Sequence, residues 1–198
     1  MSAHAADRAW LRVPEERVGT DAMLLFILTE AMLFLMLFFT YVYLAQWNPR
    51  WPLDEPPKLT LALCMLGILW TSSAVLYWGE RRAKAGAIGA ARGALAATIA
   101  LGVAFLVLQA FEYADHLKHL TPATDAYGSI FYTITSLHGA HVVLGLLMLC
   151  YVLLLPRIEH APRPPHRALH NASLYWHFVD AVWGIIVVVL YLTPNFLR

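Results

Sequence analysis

Five stretches of this chain stay apolar for about 20 residues at a time, the length an α-helix needs to cross the hydrocarbon core of a bilayer. They run Ala22–Ala45, Leu59–Trp78, Gly93–Tyr113, Ile130–Leu155 and Leu174–Thr193. Turn-forming residues separate them: Asn48-Pro49-Arg50-Trp51-Pro52 and Pro56-Pro57, then Pro122, then Pro162, Pro164 and Pro165. Trp47, Trp51, Tyr77, Trp78, Tyr113, Tyr175 and Trp176 gather at the span ends, where amphipathic rings sit at the membrane–water interface. The pattern predicts an all-α polytopic membrane protein of five transmembrane helices. Residues 1–21 form a tail, and residues 22–198 form a single transmembrane domain with no internal repeat.

Composition agrees. Hydrophobic residues make up 60% of the chain and charged residues 14%, which excludes an ordinary soluble domain. The tail before Ala22 has no apolar core of its own, so the first span is expected to act as the insertion signal. Lys and Arg are unevenly divided. Arg8, Arg12 and Arg17, then Arg81, Arg82, Lys84 and Arg92, then Arg157, Arg163 and Arg167 put ten on one side, against four on the other (Arg50, Lys58, Lys118 and Arg198). The positive-inside rule therefore puts the N-terminus in the cytoplasm and the C-terminus outside. A net charge of +1 gives no reason to expect nucleic acid as a partner. Cys64 and Cys150 both fall in apolar spans and read as small buried thiols rather than a disulfide.

Ionisable residues interrupt the apolar spans: Glu30, Glu112, His138, His141, His177 and Asp180. Uncompensated charge at the bilayer centre costs about 2.5 kcal/mol or more, so such groups turn inward and pair. At 1.5 Å of rise per residue, Glu30 lies about 12 Å in from the cytoplasmic side and His177 and Asp180 about 5 to 9 Å in, while His138 and His141 lie about 12 to 17 Å in from outside. Sorted by side, they predict an inner cluster of Glu30, His177 and Asp180 and an outer one of Gln109, Glu112, His138 and His141. The expected contacts are Glu30 with His177, and Glu112 with His138 or His141. Gly145, on the face of the two imidazoles, is expected to admit a neighbouring backbone. His138-x-x-His141 and His177-x-x-Asp180 have chelating spacing, but the paired carboxylate–histidine motifs of di-iron bundles are not met, so no metal site is expected. Interhelical packing or a proton relay through Glu30 accounts better for these residues. Thr71-Ser72-Ser73 and the Cys64/Gly67/Thr71 spacing read as small-residue helix packing.

Several motifs then resemble a known family. His138-Gly139-Ala140-His141-Val142 followed by Gly145, and Tyr175-Trp176-His177-Phe178-Val179-Asp180-Ala181-Val182-Trp183, resemble subunit III of the heme-copper cytochrome c oxidases. Gln109-Ala110-Phe111-Glu112-Tyr113, then Ala126-Tyr127-Gly128-Ser129-Ile130-Phe131-Tyr132, and Leu28-Thr29-Glu30-Ala31-Met32-Leu33-Phe34 are similar to the same family in the same order. Glu30 matches the family's membrane-buried carboxylate. The resemblance covers about Ala22 to Leu192.

The resemblance implies an accessory subunit of a proton-pumping respiratory oxidase, in the plasma membrane of a bacterium, with no catalytic, cofactor-binding or metal-ligating residue of its own. Hemes and copper would sit in partner subunits: the catalytic subunit I, with subunit II in the same complex. The family supports proton uptake and holds phospholipid in a cleft between helix bundles. This chain lacks the first two helices of the seven-helix form and is similar to short five-helix bacterial versions. Two alternatives remain open: a subunit III of a quinol oxidase, against which Glu30 and Tyr175 speak, and an independent small membrane transporter, which should show pseudo-symmetric halves.

Overall fold

The computed structural model describes residues 15–48, 51, 59–117, 125–154 and 165–193. Five helices account for nearly all of them: α1 (Glu15–Trp47), α2 (Leu59–Lys84), α3 (Ile88–His116), α4 (Ala126–Leu154) and α5 (Pro165–Ile186), which continues into a π-helical segment, Val187–Leu192. No strand occurs among the described residues, and all five helices are long and apolar enough to cross a membrane. Each expected span lies on one of them, apart from Leu155, which is outside the described residues. The helices run further than hydropathy alone predicts: α1 begins at Glu15 rather than Ala22, and α2 ends at Lys84 rather than Trp78. Hydropathy marks the part that sits in hydrocarbon, while backbone hydrogen bonding continues into the polar interface.

α2 and α3 form a tight antiparallel hairpin with the most extensive interface in the molecule. Its turn depends on Gly86 at φ 79°, a left-handed conformation that glycine adopts without strain. The amides of Gly86 and Ala87 donate to the carbonyls of Ala83 and Arg82, satisfying the end of α2. At the mouth of the hairpin Gly79 is needed for close approach, since a Cβ there would lie 2.6 Å from the Ala94 Cβ.

α5 is the core of the bundle. It packs on α4, α2 and α1, and buries Tyr175, Trp176, Trp183 and Tyr191 completely. The Trp176 ring is seated between glycines of two other helices. A Cβ at Gly102 of α3 would meet its Cη2 at 2.6 Å, and one at Gly145 of α4 would meet its Cε3 at 2.9 Å. The indole N–H donates to Ser72 Oγ of α2 at 2.9 Å. Gly145 therefore admits an aromatic ring and not, as expected, a helix backbone. Membrane helices gain little from apolar burial against one another, so contacts of this close-fitting kind hold them together.

α1 packs on α4 and α5 through one edge, where Phe34, Phe38 and Tyr41 are buried. Among the described residues, the stripe of Cys64, Gly67 and Thr71 on α2 does not serve helix packing. Cys64 and Thr71 are exposed, and nothing lies within 4 Å of a Cβ built on Gly67. The inward face of α2 is instead the one carrying Ser72. Cys64 is accordingly an exposed thiol, Cys150 is half-buried, and both are free.

The start of α1, the α2–α3 turn and the start of α5 share one end of the bundle. Thr20 Oγ1 donates to Asn171 Oδ1 at 3.1 Å there, and Asn171 Nδ2 donates to the Gly19 carbonyl at 3.3 Å. Arg81, Arg82, Lys84, Arg92 and Arg167 belong to the same end, which is the basic one. At the opposite end Tyr41, Trp51 and Tyr127 form an aromatic cluster with ring centroids 5.0 to 6.4 Å apart.

Candidate functional site

The ionisable residues inside the bundle meet in pairs that cross the expected inner and outer groups. Glu30 of α1 does not contact His177. Its Oε2 lies 2.9 Å from Nε2 of His141 on α4. The other ring nitrogen, Nδ1, lies 2.7 Å from the Leu137 carbonyl oxygen. A carbonyl only accepts, so Nδ1 carries a hydrogen. A neutral imidazole then has a bare Nε2, which a carboxylate cannot bond. The contact is therefore either an imidazolium with a carboxylate or a neutral imidazole accepting from a carboxylic acid. In both forms one proton is held between the two side chains. The Phe34 ring, one turn beyond Glu30, meets His141 edge-on at 5.0 Å and shields the contact.

Glu112 likewise does not reach His138 or His141. It accepts a hydrogen bond from Tyr191 Oη at 3.0 Å, near the aromatic end. Helix register explains the difference. His116 stacks on Phe131 at 5.8 Å, and Gln109 Nε2 donates to the Thr135 carbonyl at 2.8 Å, so Glu112 is level with residues 131–135 of α4. His138 is level with Phe105 instead, at 5.7 Å between rings. The phenol that replaces the expected imidazole comes from the π-helical continuation of α5. Gln109 thus belongs to a separate set, in which Tyr113 Oη donates to Thr135 Oγ1 at 2.6 Å.

His138 is fully buried in an aromatic box. Its ring stacks on Trp183 at 5.1 Å, with Phe105 and Phe34 edge-on. Neither ring nitrogen has a hydrogen-bond partner among the described residues.

His177 and Asp180 stay together, as their spacing on α5 requires, and a serine of α2 joins them. Ser73 Oγ lies 2.8 Å from His177 Nδ1 and donates to Asp180 Oδ2. His177 Nε2 is 3.2 Å from Ser173 Oγ, one turn back along α5. Asp180 Oδ1 is buried without a partner among the described residues.

Sequence reasoning missed a further group at the basic end. Glu80 of α2 accepts from His170 Nδ1 of α5 at 2.9 Å and pairs with Lys84 at 2.8 Å. The Glu80–Lys84 spacing of four was a usable signal, since such pairs face each other on a helix. Ser73, expected to be a small packing residue, instead hydrogen-bonds across the helix seam, while Ser173 and Tyr191 gave no comparable signal. Hydroxyls are unremarkable inside membrane helices, and only the fold reveals which ones face a carboxylate.

Among the described residues, no three His, Cys, Asp or Glu side chains come together in a group able to hold a metal ion. The arrangement is instead one of hydrogen bonds between helices, made by carboxylates, imidazoles and hydroxyls at several levels of the bundle.

The sequence profile of the family described as cytochrome c oxidase subunit III matches residues 17–194. The chain is similar to the cytochrome c oxidase subunit 3 of Synechocystis sp., 35% identical over 173 residues, which is 86% of this chain and 73% of the relative. It is 31% identical over 177 residues to the protein of the same name from Thermostichus vulcanus, covering 88% of this chain and 87% of that one. To that of Formosania lacustris it is 36% identical over 182 residues, 85% of this chain and 67% of the relative.

Proposed function

This chain belongs to the cytochrome c oxidase subunit III family, and from that membership we propose that it is an accessory, non-catalytic subunit of a proton-pumping respiratory oxidase. It packs in the membrane beside the catalytic subunit, with subunit II in the same complex, in the plasma membrane of a bacterium, its N-terminus on the cytoplasmic side. The observation that carries the reading is the family match over residues 17–194, which takes in all five membrane-spanning helices.

The chemistry of the interior supports a subunit that leaves hemes and copper to its partners. His141 and His177 each direct both ring nitrogens at protein atoms, and His138, whose nitrogens have no partner among the described residues, is enclosed by the rings of Phe34, Phe105 and Trp183. The Glu30–His141 contact, which holds a proton between α1 and α4, supports a part in proton supply to the catalytic subunit. The exposed side of α1, with Leu24, Leu28, Leu35 and Phe39, supports contact with phospholipid chains.

Purification from native membranes through a tag on this chain tests the reading. A heme-containing complex with the optical spectrum of an oxidase is expected, and metal analysis of the chain after dissociation is expected to find no stoichiometric iron or copper. A functional heme-free assembly of this chain alone would overturn the proposal.

A further inference from the structure

We propose that Ser173, His177, Ser73 and Asp180 form a proton relay along the seam between α5 and α2, which loads a proton onto Asp180 from the basic end of the bundle. The inference rests on the geometry of these four residues and does not require the oxidase assignment.

Hydrogen-bond direction carries the argument. Ser73 donates its single hydroxyl hydrogen to Asp180 Oδ2, so its oxygen is left to accept from His177 Nδ1, 2.8 Å away. With the hydrogen on Nδ1, neutral His177 has a bare Nε2, which accepts from the Ser173 hydroxyl at 3.2 Å. The four groups thus donate in one direction, from Ser173 through His177 and Ser73 to Asp180. This polarity lets a proton move by a set of short shifts. A proton arriving at the Ser173 oxygen releases the hydroxyl hydrogen to Nε2. The Nδ1 hydrogen passes to the Ser73 oxygen, and the Ser73 hydrogen passes to Oδ2. One proton enters, the Asp180 carboxylate becomes a carboxylic acid, and no bond between heavy atoms changes.

Both ends suit the task. Ser173 and Asp180, the first and last groups of the path, are 1% and 4% exposed, and Ser73 and His177 between them are partly buried. His170, whose side chain is 41% exposed, lies one turn before Ser173 on α5 and holds Glu80 at 2.9 Å, so an ionisable pair stands at the basic end of the helix that carries the path. At the inner end Asp180 Oδ1 is buried and unpartnered among the described residues, a polar atom that a merely structural contact would not need to leave unsatisfied. The other titratable groups around α5 have partners or enclosures of their own, Glu112 with Tyr191 among them. Glu80 and Lys84 of α2 pair at the entrance, Glu30 and His141 pair with each other, and His138 is enclosed by rings.

The test is hydrogen–deuterium exchange of the Asp180 acid, read by infrared spectroscopy on the purified assembly that carries this chain. The carboxylic acid C=O band is identified by its loss in Asp180→Asn, and its deuterium shift is timed after rapid mixing with heavy water. Ser73→Ala should slow that exchange by at least about tenfold, equivalent to ~1.4 kcal/mol of barrier. Ser73→Thr, which keeps a hydroxyl, should return it to the parental rate. Where Ser73→Ala does not assemble, Ser173→Ala gives the same reading one step earlier. The proposal is overturned if no band belongs to Asp180, if exchange is as fast without the serine hydroxyl, or if threonine fails to restore it. Because the measurement follows one carboxyl group, it gives its answer whether or not the assembly contains heme.

Discussion

The first and last helices are both apolar enough to cross a membrane, and they behave as opposites in the fold. α1 is the more hydrophobic of the two, yet only 6% of its most apolar window is buried within the chain, against 56% for α5. In a water-soluble protein the ranking would be reversed, because apolar burial drives folding there. In lipid, a leucine gains little by leaving hydrocarbon for protein, so hydrophobicity measures fitness for the lipid-facing position. What draws a helix into the bundle is fit and hydrogen bonding. α5 has both, with Trp176 between two glycines and donating to Ser72, Trp183 against Phe105 and His138, and Tyr191 on Glu112. α1 has a narrow aromatic edge, the Glu30–His141 contact and a short set of hydrogen bonds at its start.

The strongest way to break this contrast is to remove one large aromatic side chain from each helix. Trp176→Ala should cost about 3–5 kcal/mol, because it empties a space bounded by three helices and strips Ser72 Oγ of its donor. Phe39→Ala on α1, where the ring is 67% exposed, should cost about 0.5 kcal/mol or less. Denaturation of the purified assembly in increasing detergent measures both. Comparable losses would mean that the exposed side of α1 is gripped by another protein surface rather than by lipid.

Glycine substitutions sharpen the same point at a smaller scale. Gly102→Ala places a methyl group 2.6 Å from Trp176 and 2.7 Å from Leu146, and should destabilise by about 1–3 kcal/mol. Gly67→Ala meets nothing within 4 Å and removes a helix-weakening residue, so it should be neutral or stabilise by up to about 1 kcal/mol. The sign of the difference, read from the same denaturation curves, is the observable. A loss at Gly67 would reveal a partner helix packed on that face of α2.

Much of this was legible in the chain, and the failures have physical causes. The five spans followed from hydropathy because the bilayer imposes their length. The Glu30–His141 contact was within reach as well. About 12 Å from one side and about 17 Å from the other add up to the ~30 Å of a hydrocarbon core, which puts both residues at the same level. Sorting by nearest surface hid what sorting by distance from the midplane would have exposed. The Glu112–Tyr191 bond was out of reach, since it depends on the register of α3 against α4 and on a π-helical turn. Ser73 was hidden for a different reason: a hydroxyl becomes informative only once the fold aims it at a carboxylate and an imidazole.

The Glu30–His141 pair should be worth less than its chemistry suggests. Polar contacts between membrane helices average about 0.6 kcal/mol and reach about 1.7, because the separated helices also find partners. A double-mutant cycle with Glu30→Gln and His141→Gln should give a coupling in that range. Because the bond holds a proton, the expected signature extends beyond stability. Glu30→Gln can donate its amide hydrogen to a bare Nε2 and keep α1 in position, but it cannot exchange a proton with the ring. Assembly is expected to survive while turnover of the intact complex falls. Unchanged turnover would reduce Glu30 to a packing residue.

The smallest effect is expected where α1 begins. Thr20 and Asn171 bond at 3.1 Å, and Asn171 reaches the Gly19 carbonyl, but Gly19 is exposed at the basic end. Water competes there for every donor and acceptor, so a single neutral hydrogen bond nets about 0.5–1.5 kcal/mol at most, and less with exposure. Thr20→Val keeps the shape, removes the donor, and should cost about 0.5 kcal/mol. If α1 is positioned by its midplane contact, this change leaves the Glu30–His141 coupling untouched and the two losses add, as they do for sites with no shared partner. If the start of the helix sets its position, Thr20→Val shrinks the coupling measured at Glu30, and the two losses combined fall short of their sum. A cycle run in both backgrounds separates these outcomes and decides which end of the comparison α1 is anchored by.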